Sequence, residues 1–301
     1  MKKRIFSATA LIAAGALSLT GCVASAEDVS GGSSDSGDSK GTIRIAEFSG
    51  WEEGIATSEL WRVILEDAGY DVEIDPVDAG TVFQGLSDGD YDITTDVWEP
   101  TTHAEYLETY GDRIEKVGTW NEDSKLTVAV NADAPIDSLE DLAANADEFG
   151  NTIVGIEPGA GLTSAMTDSV IPEYGLEGMD FQTSSTPAML AELQASLNAG
   201  ENVVVTLWEP HWAYSAFDIK NLDDPKGALG DAESLNVYSR EGFADDFPEV
   251  EGWLAGFTMD TDLLADLEDL MFNQNADAED WEPIVRDWVA DNQDYVDGLT
   301  A

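Results

Sequence analysis

The sequence predicts an α/β fold of two sheet-centred lobes. Three observations carry that expectation. Short β-rich runs alternate with helical apolar stripes from about residue 41 to the end. That body of about 260 residues is long for a single hydrophobic core. The strand runs also end repeatedly in turns carrying tryptophan, proline or glycine, the position where open α/β sheets place their ligands.

In order, Thr42–Phe48 reads as a strand, and Ile55, Leu60, Trp61, Ile64, Leu65 and Ala68 form a helical stripe closed by Gly69. Asp71–Asp75 is a short strand. Thr81–Leu86 is helical, and "YDITTDVW" is a strand ending in Trp98-Glu99-Pro100. Lys125–Asn131 is a further strand. Ser138 opens a helix whose first turn holds Glu140 and Asp141, where the helix dipole favours acids. Asn151–Ile156 is a buried strand feeding a glycine-rich turn, "EPGAGLTSAM", that opens a helix. Residues 184–200 carry Pro187 near the first helical position, a Met189, Leu190, Leu193 and Leu197 stripe, and Gly200 as the stop. Asn202–Trp208 is a strand running into a second Trp-Glu-Pro. The tail holds two helical segments, one with Leu263, Leu264, Leu267, Leu270 and Met271, the other with Trp281, Ile284, Val285, Trp288 and Val289.

The N-terminus reads differently. Lys2, Lys3 and Arg4 precede an apolar run, Phe6–Leu19, and then Leu19-Thr20-Gly21-Cys22. This is a signal peptide over residues 1–22 whose end resembles a bacterial lipobox, with Cys22 as the lipidated residue. Cys22 is the only cysteine, so no intrachain disulfide can form. Residues 23–40, rich in Ser, Gly and Asp, read as a flexible tether. Lipid, tether and soluble body together describe a protein anchored at the extracytoplasmic face of a membrane.

Sixty-two acids against 13 bases give a formal net charge of −49. Nucleic acid and anionic surfaces are repelled by such a chain. The acidity fits solubility in salty surroundings, where screening weakens self-repulsion, and equally fits a lineage-wide bias.

Of nine tryptophans, Trp61, Trp281 and Trp288 sit on helical stripes and read as core, and Trp120, Trp212 and Trp253 lean the same way. Trp51, Trp98 and Trp208 lie instead at strand ends among polar residues. Three indole faces around one space suit a methylated ammonium, which has no N–H to donate; a sugar platform or plain packing also fits. The turn at Gly159, Ala160, Gly161 and Leu162 reads as an anion site at a helix start or as a tight turn. It lacks the P-loop Gly-Lys-Ser/Thr and the dinucleotide spacing. The two histidines, His103 and His211, each follow a Trp-Glu-Pro, but no metal-binding histidine framework, Ser-His-Asp set or nucleophile elbow appears. With so many acids, a glycosidase-like pair carries no information.

Together, "GWEEGIATSELWRVILEDAGY", "GDYDITTDVWEPTTHAEY", "IVGIEPGAGLTSA", "VVVTLWEPHWAYSAFDIKNLDDPKGALG" and "REGFADDFPEV" resemble the glycine betaine binding proteins of osmoprotectant ABC importers. The resemblance covers nearly all of the body. It implies a two-lobed type II periplasmic-binding-protein fold with a ligand cleft between lobes. It also implies a cage of Trp51, Trp98 and Trp208 around the ligand's trimethylammonium, and a carboxylate held by the amides of Gly161 and Leu162 and by His103. Leu162 stands where the family often has isoleucine, which a backbone contact tolerates. Gly159, Ala160 and His211 are supporting residues. Glu99 and Glu209 are expected to point outward; inward, they would favour more cationic ligands.

The resulting expectation is a monomeric, non-enzymatic binding protein without cofactor or metal. It delivers glycine betaine or a close relative to an ABC permease and its ATPase. Lobe 1 is expected over residues 41–125 and 234–301, and lobe 2 over 126–233. Alternatives are the same fold binding choline, carnitine, proline betaine or ectoine, a surface glycoside-active enzyme, and an adhesin.

Overall fold

The computed structural model describes residues 39–301. The signal peptide, Cys22 and nearly all of the expected tether lie outside the described residues. Nine strands form the framework: β1 (Thr42–Phe48), β2 (Asp71–Val77), β3 (Ile93–Glu99), β4 (Ile114–Asn131), β5 (Thr152–Val154), β6 (Asp180–Gln182), β7 (Val204–Glu209), β8 (Ile219–Asn221) and β9 (Glu233–Arg240). Their order is β2-β1-β3-β9-β4-β7-β5-β6, with β8 also on β4. β1 is parallel to both β2 and β3, and β5 is parallel to both β6 and β7. The pairs involving β9, and those of β4 with β7 and β8, are antiparallel.

β4 joins the two halves. Ile114–Ser124 pairs with β9, whereas Lys125–Val130 pairs with β7. The sequence predicts only Lys125–Asn131 as strand; the structure extends it to Ile114. The first half is hidden because its register against β9 shifts three times, at Lys116/Gly118, Thr119/Asn121 and Asn121/Ser124. Bulges of this kind destroy the period-2 pattern by which a strand is read.

Helix α1 (Glu52–Asp67) is buried along most of its length, with Leu60, Trp61 and Leu65 inaccessible. It packs on β1 and β3 and is covered from the far side by α11 (Thr261–Glu268) and α12 (Glu282–Asp291). Trp61 meets Phe257 edge-on at 5.4 Å, and Phe257 stacks on Trp120 at 5.5 Å. Trp61 is core, as its helical stripe predicts, and Trp120, which has no stripe, is buried with it. β2 is an edge strand, which is why it tolerates Pro76.

Around the other half, the helices α5 (Gly161–Ala165) and α6 (Ile171–Tyr174) are joined through a π-turn, Met166–Val170, into one rod. Helix α7 (Thr186–Ala199) begins with Ser185 capping the Ala188 amide, carries Pro187 in its first turn, and stops at Gly200 in the left-handed region, φ 69°. The remaining helices are α2 (Ala79–Asp88), α3 (Ala104–Tyr110), α4 (Leu139–Leu142), α8 (Ala213–Ala216), α9 (Phe243–Asp246), α10 (Pro248–Ala255) and α13 (Gln293–Leu299).

Candidate ligand-binding site

Four chain segments leave their strands toward one place. β1 ends at Phe48, and Gly50, at φ 87°, turns the chain so that Trp51 immediately precedes α1. β3 and β7 each end in Trp-Glu, and both following Glu-Pro bonds are cis. After β5 the chain turns through Glu157–Ala160 into α5. The result is a single cavity lined by Trp51, Glu53, Trp98, Thr102, Leu126, Ile156, Ala160, Gly161, Leu162 and Trp208. The cavity is small: about 20 Å³ of it can hold the centre of a water molecule. Trp51, Trp98 and Trp208 are only 6%, 3% and 4% exposed, so their indole faces are held at the cavity and not in bulk water.

Each of these indoles gives its N–H to a carboxyl oxygen of an acidic side chain. Trp98 Nε1 donates to Asp96 Oδ1 at 2.9 Å, Trp208 Nε1 to Glu53 Oε2 at 2.9 Å, and Trp51 Nε1 to Glu157 Oε2 at 3.4 Å. Glu157 is itself fixed by the Thr186 amide and hydroxyl, at 2.7 and 2.9 Å. A buried indole N–H without an acceptor would cost free energy. Here the acceptors also set each ring's rotation. Two of the three contacts cross between the halves: Trp51 reaches the turn after β5, and Trp208 reaches α1. Tyr106 Oη adds a third crossing by donating to the Gly159 carbonyl at 3.0 Å.

The amides of Gly161 and Leu162 lie in the first turn of their helix, where no carbonyl four residues back is available within the helix. Such groups attract an anion. Gly161 is required by close approach, because a Cβ there would collide with the Thr102 carbonyl. Thr102 is in turn held by Glu233, whose Oε2 accepts the Thr101 and Thr102 amides at 2.7 and 2.9 Å.

The histidines differ. His103 is fully buried and stacks on Phe48 and Trp51, with ring centroids at 5.2 and 5.5 Å. It does not line the cavity but lies directly against one of its walls. Its Nδ1 accepts the Trp98 amide at 3.0 Å, which places the ring proton on Nε2, and Nε2 has no partner within the described residues. Burial lowers its pKa to about 3, so the ring is neutral near pH 7. His211 Nδ1 instead accepts the Ala213 amide at 3.0 Å, and its Nε2 lies 3.2 Å from Glu52 Oε2. It also meets the Trp208 ring edge-on at 4.7 Å.

Glu99 and Glu209 face away from the cavity. Glu99 pairs with Lys116 at 2.8 Å and accepts the Tyr238 hydroxyl; Glu209 pairs with Lys125 at 3.0 Å and accepts Asn221 Nδ2 at 2.6 Å. The acids that matter to the cavity are ones the sequence does not single out: Glu53, Asp96, Glu157 and Glu233. With 62 acids in the chain, type alone could not select them. Glu53, two residues after Trp51, Asp96, two before Trp98, and Glu157, at the head of the glycine-rich turn, are near the site in sequence, but nothing local assigns them a partner. Burial raises the Glu53 carboxyl to about 8, with Glu52 adding to the shift and the Trp208 and Trp98 indoles opposing it. Asp96 and Glu268 are driven well above the usual carboxylate range, again chiefly by burial. Among the described residues no cluster of three or more His, Cys, Asp or Glu is arranged to hold a metal ion, and no helix is long and apolar enough to cross a membrane.

Residues 41–291 match the family described as the substrate binding domain of ABC-type glycine betaine transport systems. The glycine betaine/carnitine transport binding protein GbuC of Listeria monocytogenes is 36% identical over 165 residues, 54% of this chain and 52% of that protein. The match thus spans about half the length of that curated relative. Among solved structures, lactococcal OpuAC in its closed form with glycine betaine superposes with a TM-score of 0.79 at 26% identity, over 86% of this chain and 99% of that one. A choline binding protein in complex with choline gives 0.75 at 26%, over 85% and 90%. The fold is therefore the two-lobed α/β fold of extracytoplasmic substrate-binding proteins, and the chain belongs to the family of substrate-binding domains of ABC-type glycine betaine transport systems.

Proposed function

We propose that this protein captures glycine betaine, or a closely related betaine, between Trp51, Trp98 and Trp208 and delivers it to an ABC permease driven by its ATPase. The observation that carries this reading is the convergence of three buried indole faces on the same cavity as the Gly161 and Leu162 amides. A trimethylammonium group is attracted by each ring face, by roughly 0.5–2 kcal/mol. The ligand's carboxylate takes the two amides and the Nε2–H of His103, which lies behind the Trp51 wall and has no partner among the described residues. The OpuAC complex with glycine betaine supports the same ligand class here.

The lobes divide at the change of partner along β4, giving residues 41–125 with 234–301, and 126–233. Trp51, Trp98 and His103 then stand on one lobe, and Trp208, Gly161 and Leu162 on the other. A ligand touching both favours the closed form by its additional contacts there. Cys22 carries the lipid that keeps a monomeric binding protein at the outer face of the membrane, and the chain performs no catalysis. Choline is the second reading, favoured by the carboxyl of Glu53 at the cavity wall and by the choline complex among its relatives.

Calorimetric titration with glycine betaine, proline betaine, carnitine, choline and ectoine tests this assignment. Glycine betaine is expected to bind most tightly or within a few-fold of the tightest ligand. Absence of heat and of tryptophan fluorescence change with every betaine would remove the reading.

A further inference from the structure

Behind the tryptophans lies a group of acids without a positive partner among the described residues. Glu53 is 1% exposed, Asp96 1% and Glu268 0%. They come from three elements packed together: the first turn of α1, strand β3 and the end of α11. Asp96 Oδ2 and both carboxyl oxygens of Glu268 have no hydrogen-bond partner among the described residues. None of the three forms an ion pair with a lysine or arginine there. The groups facing Glu53 are Glu52 on its own helix, Asp96, Glu268, and the indoles of Trp98 and Trp208; beyond Glu52 stands His211. Gly54 packs directly on the Asp96 carboxyl, where a Cβ would come within 2.9 Å of Oδ2. No side chain can be inserted there to separate the acids.

Neighbouring carboxyls this dry, without a compensating cation among the described residues, cannot all ionise, because each unpaired buried charge is too costly. The cluster therefore holds protons near neutral pH, in line with the upward shift of Glu53 to about 8. Of its members only Glu53 reaches the cavity wall. A quaternary ammonium is a permanent cation with no proton of its own to lose. Seated among the indoles, it supplies the positive charge that the cluster lacks, in surroundings where charges attract strongly.

We propose that Glu53 is the titrating counter-charge of the cage, so that entry of a quaternary ammonium expels a proton from the Glu53 cluster to solvent. The O–H bond of the acid breaks, its electron pair stays on the Glu53 carboxylate, and the proton passes to buffer. The carboxylate keeps the Trp208 N–H, and that hydrogen bond becomes charge-assisted. This inference rests on the reading of the three tryptophans as an ammonium seat.

Linkage fixes the sign. A complex that releases a proton binds more tightly as pH rises, by at most about tenfold per pH unit while the free protein remains protonated. The test is calorimetry with glycine betaine near pH 7 in phosphate and in Tris, whose ionisation heats differ. The expected result is an apparent enthalpy that differs between buffers as proton release requires, with an affinity that rises between about pH 6 and pH 8 and then levels. E53Q keeps an acceptor for the Trp208 indole but cannot ionise. It is expected to lose the buffer dependence and to show a flat pH profile. Equal enthalpies in both buffers together with tight, pH-independent binding by the unaltered protein would overturn the counter-charge and leave the ammonium seat standing. Failure of glycine betaine to bind at any pH would remove the seat itself, and this inference with it. The buffer comparison uses the unaltered chain, so it stands even where E53Q does not fold.

Discussion

The two Trp-Glu-Pro turns begin alike and diverge within five residues. Both follow a strand, both have a cis Glu-Pro bond, and in both the indole N–H is taken by a buried carboxyl group. In both, the glutamate turns outward to a lysine, Lys116 in one and Lys125 in the other. The histidines then part. His103, five residues after its tryptophan, folds back so that Nδ1 receives that tryptophan's own amide and its ring stacks on Trp51. His211, three residues after its tryptophan, caps the next helical turn through the Ala213 amide and lies against Glu52. Both rings hold their proton on Nε2, and neither Nε2 has a hydrogen-bond partner among the described residues; the two residues of spacing set His103 against Trp51 at the cavity wall and His211 against Glu52 and the edge of Trp208. A repeated motif therefore duplicates only the part whose backbone path is the same.

The largest effect that can break this comparison comes from the part held in common. Trp98→Ala and Trp208→Ala each remove one wall and one cation–π face, and each is expected to weaken glycine betaine binding by about thirtyfold or more in a calorimetric titration. A loss confined to one of them would show that the turns do not contribute equivalent walls. The histidines sharpen the contrast at the next scale. His103→Ala removes a donor to the ligand carboxylate and is expected to cost glycine betaine about ten- to a hundredfold, while choline, which has no carboxylate, loses far less. His211→Ala is expected to weaken both ligands alike, by about threefold, through the loosened turn. A selective loss from His211→Ala would reverse the assignment. The smallest effect belongs to the glutamates. Exposed or half-exposed ion pairs contribute little, so Glu99→Gln and Glu209→Gln are each expected to change affinity by less than about twofold. A larger change in dissociation constant would bring those acids back into the site.

Much of the architecture was legible because its signals are local. Gly200 stops α7 and Ser185 starts it for reasons contained in a few residues. Trp61 and Trp288 fall on stripes and are buried as stripes require. The first half of β4 was not legible, because its bulges exist only against β9, more than a hundred residues away in the chain. Within the site, the tryptophans and the glycine-rich turn stood out by residue type. The acids that hold them did not. Glu157 is one carboxylate among many until Trp51 and Thr186 are placed on either side of it.

By itself, then, the sequence determined the class of fold, the three aromatic strand ends, the glycine-rich turn before α5 and the two unlike histidine spacings, whereas the Thr102 carbonyl that demands glycine at position 161 is a tertiary contact. Periodicity, turn chemistry and residue scarcity are properties of short segments. The tertiary structure alone decided which carboxylates orient the indoles, that His103 is a neutral ring with its proton on Nε2, and that Glu53, Asp96 and Glu268 are buried together. Those outcomes depend on desolvation and on neighbours brought in from distant segments. An acid's chemistry is set by the water and charges around it, and no stretch of sequence around Glu53 contains Asp96 or Glu268.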